Sequence, residues 1–360
     1  MASCVELFAG AGGAALGLEA AGISHLACIE YDADACATLR AAGLPCVEGD
    51  VRDPDLYLPE WVGCDLLWAS FPCQAWSSAG KREGAKDERN GWPWTVDAID
   101  RLEPEWFAAE NVTGLLTHRG GCASRCLGPE ECPRAYFDNV ILSQLRERFA
   151  WVGFRVINAS SFGVPQHRRR VIIVAGPHAI DWPEPTHGKP SGQCDLFGRS
   201  LLPWATVGEA LGLIGQITRL PPPSDRAGNQ PRPTKEPSPT MGTFGLAVRE
   251  DLRAGGGLVV QSGVCHSDPG THGNESSVKL PSPTIPGSSG MYVGESLIGN
   301  AGPCVEPGRR RLTVEECATL QDFPVGHPFQ GNRGSQYRQV GNAVPPKLAE
   351  VVGRAILGAM

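Results

Sequence analysis

The sequence lacks any long apolar run, and its first residues lack the basic segment and apolar stretch of a secretory signal. Hydrophobic residues make up 41% of the chain and charged residues 20%, which is ordinary for a soluble globular protein. These features argue against a membrane span and against wholesale disorder. With 360 residues the chain can form one large domain and a smaller one. We expect a cytoplasmic protein with no membrane partner.

An excess of positive charge is also missing. The chain has 32 Lys and Arg against 39 Asp and Glu, a net charge of −7, which argues against a protein that simply coats nucleic acid. Two local basic segments remain, at residues 81–89 and 167–170. The 13 cysteines, in a chain without an export signal, predict reduced thiols with one catalytic or metal-bound subset.

A glycine-rich turn near the start lacks two common nucleotide-binding patterns. Residues 4–8 predict a strand that runs into Ala9-Gly10-Ala11-Gly12-Gly13, followed by a helical pattern. The turn has neither the lysine of a P-loop nor the spacing G-x-G-x-x-G, so neither a nucleoside triphosphate nor a nicotinamide dinucleotide is favoured. Strand, glycine turn and helix still form the opening of a nucleotide-binding βαβ unit.

Carboxylates follow the next two predicted strands. The strand at 25–29 ends at Glu30, where such folds hold ribose hydroxyls, and the strand at 46–48 leads to Asp50, placed to accept from an adenine amino group. Either carboxylate alone could instead be the N-cap of the following helix. Together they predict a pocket for an adenosine-bearing cofactor.

A cysteine follows the fourth predicted strand, residues 65–70. In Phe71-Pro72-Cys73-Gln74 the proline ends the strand ladder, which leaves Cys73 where open α/β sheets bind ligands. This position indicates a nucleophile, although an isolated cysteine is more often a buried thiol. The segment 75–94 is polar and basic and contains glycines, so it could close over a polyanion.

Two further groups are predicted at the same sheet edge. The strand at 106–109 ends at Glu110, which could hydrogen-bond a base edge or cap a helix. Residues 166–170, Gln-His-Arg-Arg-Arg, precede a very apolar strand at 171–175. Arginines there can bind a phosphate or a base carbonyl through their forked N–H groups. A solvated charge run is the alternative.

A histidine and three cysteines are close in the sequence: His118, Cys122, Cys126 and Cys132. These residues suit a closed tetrahedral zinc site with a structural role, although the spacing is not that of a standard finger. A loop that is merely rich in thiols is the alternative.

The amino-acid composition and the sequence pattern divide the chain into three parts. Residues 1–183 are predicted to form the catalytic domain, and residues 184–308, rich in proline, glycine and serine, an irregular and β domain. Residues 309–360 are predicted to return to the first domain through helices that begin near Thr313 and Lys347. A further helix is predicted at 136–149.

Ordered stretches along nearly the whole chain, outside residues 183–308, resemble the cytosine-C5 DNA methyltransferase family. They are Phe8-Ala9-Gly10-Ala11-Gly12-Gly13, Glu30-Tyr31, Gly49-Asp50-Val51, Phe71-Pro72-Cys73-Gln74, Glu110-Asn111-Val112, Gln166-His167-Arg168-Arg169-Arg170, Arg311-Leu312-Thr313 through Phe323-Pro324, and Gln339-Val340-Gly341-Asn342-Ala343-Val344. The order of so many matches makes the resemblance specific.

The resemblance implies an α/β fold: a Rossmann-like class I methyltransferase sheet with helices on both faces, which binds S-adenosyl-L-methionine, and a smaller target-recognition domain. It implies that Cys73 is the nucleophile, that Glu110 contacts the base, and that Arg168 and Arg170 position both. The residues implied at the cofactor are Phe8, Gly10, Gly12, Gly13, Glu30, Tyr31, Asp50, Val51, Pro72, Asn342 and Ala343. Those implied at the DNA are Gln74, Ser77, Lys81, Arg82, and a Thr-aliphatic pair beginning at Thr240 or Thr284.

The implied function is methyl transfer to C5 of a cytosine flipped out of a specific sequence in double-stranded DNA. The enzyme would be solitary or part of a restriction–modification system, a monomer that needs no cognate endonuclease for activity. The same chemistry on tRNA is one alternative, and a catalytically silent DNA-binding partner is another.

Overall fold

The computed structural model describes residues 2–72, 90–118, 128–129, 132–189, 198, 200–212, 258–262, 274–277, 280–285, 291–295 and 310–360. No helix within these ranges has the length and apolar character needed to span a bilayer. Several residues singled out from the sequence lie outside the described residues: Cys73, Gln74, Ser77, Lys81, Arg82, Cys122, Cys126 and Thr240.

Seven strands form the central sheet. They are β1 Ala2–Leu7, β2 Ile23–Glu30, β3 Cys46–Glu48, β4 Leu66–Ala69, β5 Trp106–Val112, β6 Trp151–Asn158 and β7 Arg169–Gly176. Their order is β3-β2-β1-β4-β5-β7-β6, with β1 to β5 parallel and β7 antiparallel to both of its neighbours. This is the mixed α/β, Rossmann-like sheet that the sequence predicts.

The sheet is buried on both faces. Every residue of β4 is buried, and its side chains alternate between two apolar clusters, with Leu66 and Trp68 in one and Leu67 and Ala69 in the other. Alternation is the consequence of the two-residue period of a strand, and continuous apolar sequence is what a strand covered by helices on both sides requires. The predicted helices on both faces are therefore confirmed.

Helices cover the two faces. They are α1 Gly13–Ala21, α2 Ala33–Ala41 and α3 Trp92–Leu102, followed by Pro133–Tyr136, Leu142–Arg146, Val207–Ala210, Val314–Leu320, Arg333–Asn342 and Pro346–Leu357. Asp32 caps α2 by accepting from the amides of Asp34 and Ala35. The capping box predicted at Thr313 is confirmed, because Thr313 and Glu316 satisfy each other's backbone amides.

The C-terminal helix Pro346–Leu357 packs directly on α1. Gly17 is the closest point, because a Cβ there would lie 2.8 Å from both Ala349 Cβ and Glu350 N, and closer still to the carbonyl oxygen of Pro346. The absence of a side chain at Gly17 thus permits the two backbones to touch. This contact brings the end of the chain back to the first domain, as the apolar pattern of the last residues predicts.

Short strands form two smaller sheets. One pairs β8 His187–Gly188 with β9 Leu202–Pro203, and the other has the order β11-β10-β12-β13. The strands of the second are β10 Leu258–Ser262, β11 Asn274–Ser277, β12 Met291–Glu295 and β13 Arg310–Arg311. The β structure predicted after residue 183 is therefore present, while the domain boundaries remain predictions.

Some element boundaries differ from the predictions. The helix predicted at 136–149 begins at Pro133 and widens into a π-helix over Phe137–Ile141 before it ends at Arg146. The strand β5 runs to Val112, so Glu110 lies inside a strand and does not cap a helix. The helix Arg333–Asn342 was not predicted, because its mean hydropathy is low and it offers no apolar stripe.

Candidate active site

The carboxyl ends of β1, β2, β4 and β5 meet at one edge of the sheet, and they carry the glycine turn, Glu30, Phe71-Pro72 and Glu110. Because β7 is antiparallel, its beginning reaches the same edge, where Arg170 pairs with Val112 in the ladder. The topology therefore gathers residues that are up to 160 positions apart, from Gly10 to Arg170. Ligands of open α/β sheets bind at this edge.

The glycine turn leaves β1 in an unusual conformation. Gly10 and Gly12 have φ values of 55° and 81°, which glycine adopts without steric cost. Phe8, which is not a glycine, has a φ of 57°. The Gly12 amide donates to the Ala9 carbonyl at 3.0 Å, and Gly13 begins α1. A Cβ at Gly10 would meet no described atom within 4 Å, so the backbone of the turn faces open space that a ligand can approach.

Glu30 is buried beside this turn. One carboxylate oxygen accepts from the Gly10 amide at 2.8 Å, and the other accepts from the amides of Tyr31 and Asp32 at 2.9 and 2.8 Å. A carboxylate offers about four lone-pair positions, so one is left to accept a hydroxyl. The alternative of a helix cap is wrong for Glu30, because Asp32 is the residue that caps α2.

An open backbone turn and a fixed carboxylate with acceptor capacity left over fit an adenosine-bearing cofactor. Tyr31, the next residue, has 73% of its surface exposed, so its ring can cover a ligand. Val51 is buried, and its carbonyl accepts from the Tyr57 hydroxyl at 2.8 Å. The Asp50 carboxylate binds Arg52 at 2.5 Å, which holds the pKa of Asp50 below its ordinary value. An adenine contact to Asp50 remains a prediction.

Phe71 and Pro72 lie beyond β4, immediately before Cys73. Phe71 is buried, and its ring packs against Trp92 with centroids 5.4 Å apart. Its carbonyl oxygen accepts from Asn111 Nδ2 at 3.1 Å. The position of Cys73 itself lies outside the described residues, but the chain that leads into it is fixed at this edge of the sheet.

Glu110 and Arg170 form a buried ion pair. Arg170 Nε lies 2.6 Å from Glu110 Oε1, and the residues are only 9% and 7% exposed. Within the described part of the chain, neither of these two atoms has a further hydrogen-bond partner. A carboxyl group and a guanidinium therefore lie side by side at the predicted base-binding position.

Arg168 has different surroundings. Its guanidinium is buried and donates to the carbonyls of Ile285, Gly341 and Ala343 at 3.3, 3.0 and 2.9 Å. Burial lowers the pKa of the Arg168 guanidinium well below its ordinary value, and the charge of Arg170 lowers it further. Arg168 thus joins the segment that ends at Ile285 to residues 341–343, which precede the C-terminal helix. Its role toward Cys73 remains a prediction.

Two glutamines extend this network. Gln166 donates to Gln321 Oε1 and to the Leu320 carbonyl, and its own Oε1 accepts from the Ile285 amide. Gln321 in turn donates to the Ala343 carbonyl at 2.6 Å. Gln166 and Gln321 are both fully buried. We call Gln166, Arg168, Gln321 and the carbonyls they bind the glutamine–arginine network.

Residues 280–285 dock on this network. The Ser282 amide donates to Pro165, the His167 amide donates to Ser282, and the Thr284 hydroxyl donates to the His167 carbonyl at 2.8 Å. Ile285 is buried, whereas Thr284 is exposed. Of the two candidate Thr-aliphatic pairs, the one at Thr284 therefore lies beside the arginine segment, and the other lies outside the described residues.

Asn342 is exposed at the end of its helix, and Ala343 is buried next to it.

In the candidate zinc cluster, Cys132 Sγ lies 3.8 Å from His118 Nδ1, and Cys132 is buried. These two of the four predicted ligands are brought together by the fold.

Two buried polar features were missed by sequence reasoning. One is the Asn111 link to Phe71. The other is His25 Nε2, which lies 3.3 Å from Glu6 Oε2 in the interior, on the face shared by β1 and β2. A bulge in the pairing of these strands places His25 on the same face as Glu6. A charged residue inside the otherwise apolar strand β1 is the pattern that could have revealed the second pair.

Known proteins provide an independent comparison. A family model described as C-5 cytosine-specific DNA methylase matches residues 2–199 and 229–358. The Type II methyltransferase M.NaeI of Lentzea aerocolonigenes is 32% identical over 370 residues, which cover 99% of this chain and 75% of the relative. The Type II methyltransferase M.NgoMIV of Neisseria gonorrhoeae is 32% identical over 367 residues, 99% of this chain and 97% of the relative.

A solved structure of a Spodoptera frugiperda DNMT2 mutant shares the fold, with a TM-score of 0.56 and 15% identity over 99% of this chain and 100% of that one. The family match covers most of the chain and includes every stretch on which the resemblance was based. The chain therefore belongs to the C-5 cytosine-specific DNA methylase family and is a DNA cytosine-C5 methyltransferase that uses S-adenosyl-L-methionine.

Proposed function

We propose that this enzyme methylates one cytosine of a specific duplex sequence after flipping it out of the helix, through a transient bond between Cys73 and C6 of the base. The observation that carries the proposal is the meeting of Glu110, Arg170 and the Phe71-Pro72 peptide at one sheet edge. Cys73 follows this peptide directly in the sequence. A base inside a stacked duplex cannot reach such a site, so it must be everted.

The chemistry explains why a thiol is needed. Cytosine C5 is a weak nucleophile, and covalent catalysis divides the reaction into easier steps. The Cys73 thiolate forms a bond to C6, and the electron pair of the C5–C6 double bond makes C5 nucleophilic as N3 takes a proton. Once C5 carries the methyl group, a base, for which water suffices, takes the C5 proton. The C5–C6 double bond re-forms as the C6–S bond breaks and releases the thiolate, and N3 gives its proton back.

Glu110 and Arg170 would stabilise the base during these steps. The Glu110 carboxyl group would hold or protonate N3, and the Arg170 guanidinium would donate to O2, where negative charge develops. Their burial strengthens both interactions, because little water is present to screen them. A guanidinium beside the site also favours the ionised form of Cys73.

The chain's own residues would hold the cofactor at the neighbouring glycine turn. When bound, S-adenosyl-L-methionine supplies a methyl group on a positively charged sulfur. Glu30 would accept from the ribose, and the turn at Gly10 and Gly12 would let the methionine part approach the backbone. Asn342 would close the pocket from the C-terminal side.

The experiment has two stages. Bisulfite sequencing of DNA from a bacterial host that lacks its own cytosine methylation, and that expresses the enzyme, gives the target sequence. A duplex with 5-fluorocytosine at the mapped position then tests the covalent step, because fluorine cannot leave as the proton does and the adduct persists. The wild type should form a protein–DNA adduct that mass spectrometry assigns to Cys73.

Cys73→Ala should form no adduct and show no turnover, while S-adenosyl-L-methionine binding survives. Normal turnover by Cys73→Ala would overturn the covalent mechanism. Labelled methyl transfer to tRNA but not to duplex DNA would instead support the RNA alternative.

We also propose that the enzyme protects DNA in a restriction–modification system. The support is that the relatives M.NaeI and M.NgoMIV are named Type II methyltransferases. The enzyme would act as a monomer without the endonuclease. Light scattering of the active protein tests the monomer, and a gene for an endonuclease with the mapped specificity beside its own gene tests the pairing.

The segment around His118 is proposed to hold a structural zinc ion. The support is the 3.8 Å approach of His118 Nδ1 to Cys132 Sγ, a pair of ligand types that Zn²⁺ prefers. Elemental analysis of freshly prepared, reduced protein should find one zinc ion per chain, and Cys132→Ser should remove it. Protein that is fully folded and free of zinc would contradict this site.

A further inference from the structure

We infer that Asn111 is a positioning residue that aims Cys73 at the base, an inference that rests on the proposed covalent mechanism. Asn111 follows Glu110 in β5 and is 2% exposed. Its Nδ2 donates to the Phe71 carbonyl at 3.1 Å, and its Oδ1 accepts from the Val112 amide at 2.8 Å. Both ends of the amide group are therefore used.

The register of the sheet explains why a side chain is needed at this point. Ala69 of β4 pairs with Ala109 of β5, so Phe71 comes opposite Asn111 if the strands are continued by two residues. Proline has no N–H and ends the ladder at residue 72. The pairing of β4 with β5 ends at Ala69 and Ala109, and two residues further on the Phe71 carbonyl accepts from the Asn111 side chain.

This hydrogen bond controls the direction of the chain into Cys73. The Phe71 carbonyl belongs to the planar peptide that includes the Pro72 nitrogen, and the proline ring fixes the next torsion near −65°. Only ψ of Pro72 then remains free between the anchored oxygen and the Cα of Cys73. A group that fixes the Phe71 carbonyl consequently fixes most of the path to the nucleophile.

Packing holds the same peptide from the other side. A Cβ at Gly91 would lie 2.7 Å from Pro72 Cδ and 3.1 Å from Phe71 Cβ, so the backbone at Gly91 rests directly against the Phe71-Pro72 unit. Trp92 covers the Phe71 ring. The peptide is thus packed on one side and hydrogen-bonded on the other, and Asn111 connects it rigidly to the strand that carries Glu110.

Two substitutions separate positioning from support of the fold. Asn111→Ala removes both hydrogen bonds. Asn111→Asp keeps the volume and the acceptor for the Val112 amide, but it places an oxygen where the N–H to Phe71 was. Ser3→Ala is the matched control, because it removes the bond from Ser3 Oγ to Asp65 Oδ2 (2.7 Å) at the opposite edge of the sheet.

The experiment measures kcat, KM for cofactor and DNA, and the rate of adduct formation with the 5-fluorocytosine duplex. We expect Asn111→Asp and Asn111→Ala to lower kcat and the adduct rate by about 10- to 100-fold, the cost of misplacing a reacting group by about 1 Å. Each KM should stay within about 3-fold of the wild type, because neither substitution removes a contact that holds the cofactor or the DNA before the reaction. Ser3→Ala should react at the wild-type rate.

The outcomes are distinguishable. A wild type that forms no adduct overturns the covalent mechanism and the role of Asn111 with it. A wild type that forms the adduct, together with an Asn111→Asp enzyme that forms it equally fast, overturns the role of Asn111 alone. If Asn111→Ala does not fold, the adduct rate of Asn111→Asp alone tests the inference. Failure of both variants to fold would make Asn111 a residue of the fold and would contradict the inference.

Discussion

Replacing Gly17 by alanine tests the contact between α1 and the C-terminal helix. In an exposed helix this change stabilises by about 1 kcal/mol, because alanine has the higher helix propensity. Here the new Cβ would lie 2.8 Å from Ala349 Cβ and Glu350 N, and closer to the Pro346 carbonyl. Overpacking typically costs about 1–3 kcal/mol, and the cost here should be about 2–3 kcal/mol because backbone atoms cannot rotate away. After the gain of about 1 kcal/mol in helix propensity is subtracted, we expect a net loss of about 1–2 kcal/mol.

Thermal unfolding is the assay. A loss of this size should lower Tm by about 2–8 °C, given roughly 2–4 °C per kcal/mol for large domains. The rise in Tm on adding S-adenosyl-L-methionine should also shrink, because ligand stabilisation depends on affinity and α1 begins at the glycine turn that we assign to the cofactor.

Gly358→Ala is the control for this experiment. Gly358 follows the same C-terminal helix with φ of −68°, and a Cβ there would lie 3.4 Å from its nearest neighbour, the Arg354 carbonyl. This variant should keep or slightly raise Tm. A Gly17→Ala protein as stable as Gly358→Ala would refute the argument that the two helix backbones touch.

Two further predictions concern buried charges. Arg168→Met should lower the free energy of unfolding by about 2 kcal/mol in urea titrations, because the Ile285 and Gly341 carbonyls lose their donor; an equally stable variant would contradict the network. Burial raises the pKa of the Glu6 carboxyl in spite of the nearby His25, so the folded state favours the protonated form. The stability that this gives is present below the ordinary carboxyl pKa and is lost as pH rises through the raised value. The Tm of Glu6→Gln relative to wild type should therefore increase from pH 4 to pH 7, and a constant difference would show that the carboxyl titrates normally.

Most of the sheet edge could be predicted from the sequence. Glu30, Phe71-Pro72 and Glu110 each come directly after a short apolar run in the sequence, and parallel strands bring their carboxyl ends together. Such local patterns identify the strands, and the topology rules then place the residues. The capping box at Thr313 was predictable for the same reason, since its partners are three residues apart.

The contacts between distant residues could not be predicted. Gln166 and Gln321 are 155 positions apart, and polar residues that bind each other in a core have no periodic pattern. The length of β5 was underestimated because Glu110 and Asn111 are polar, and their burial depends on Arg170 and Phe71. The helix Arg333–Asn342 was not predicted because it has few apolar residues, and its buried Gln339 is held by hydrogen bonds with Thr38 and with the Gln330 carbonyl.

The glutamine–arginine network bears on how residues 184–308 could be exchanged between related enzymes. Residues 280–285 belong by sequence to this predicted domain, yet they form hydrogen bonds with Pro165, His167 and Arg168. A chimaera that exchanges all of residues 184–308 would break these hydrogen bonds. An exchange that ends at residue 279 would leave residues 280–285 with the partners that they bind in this chain.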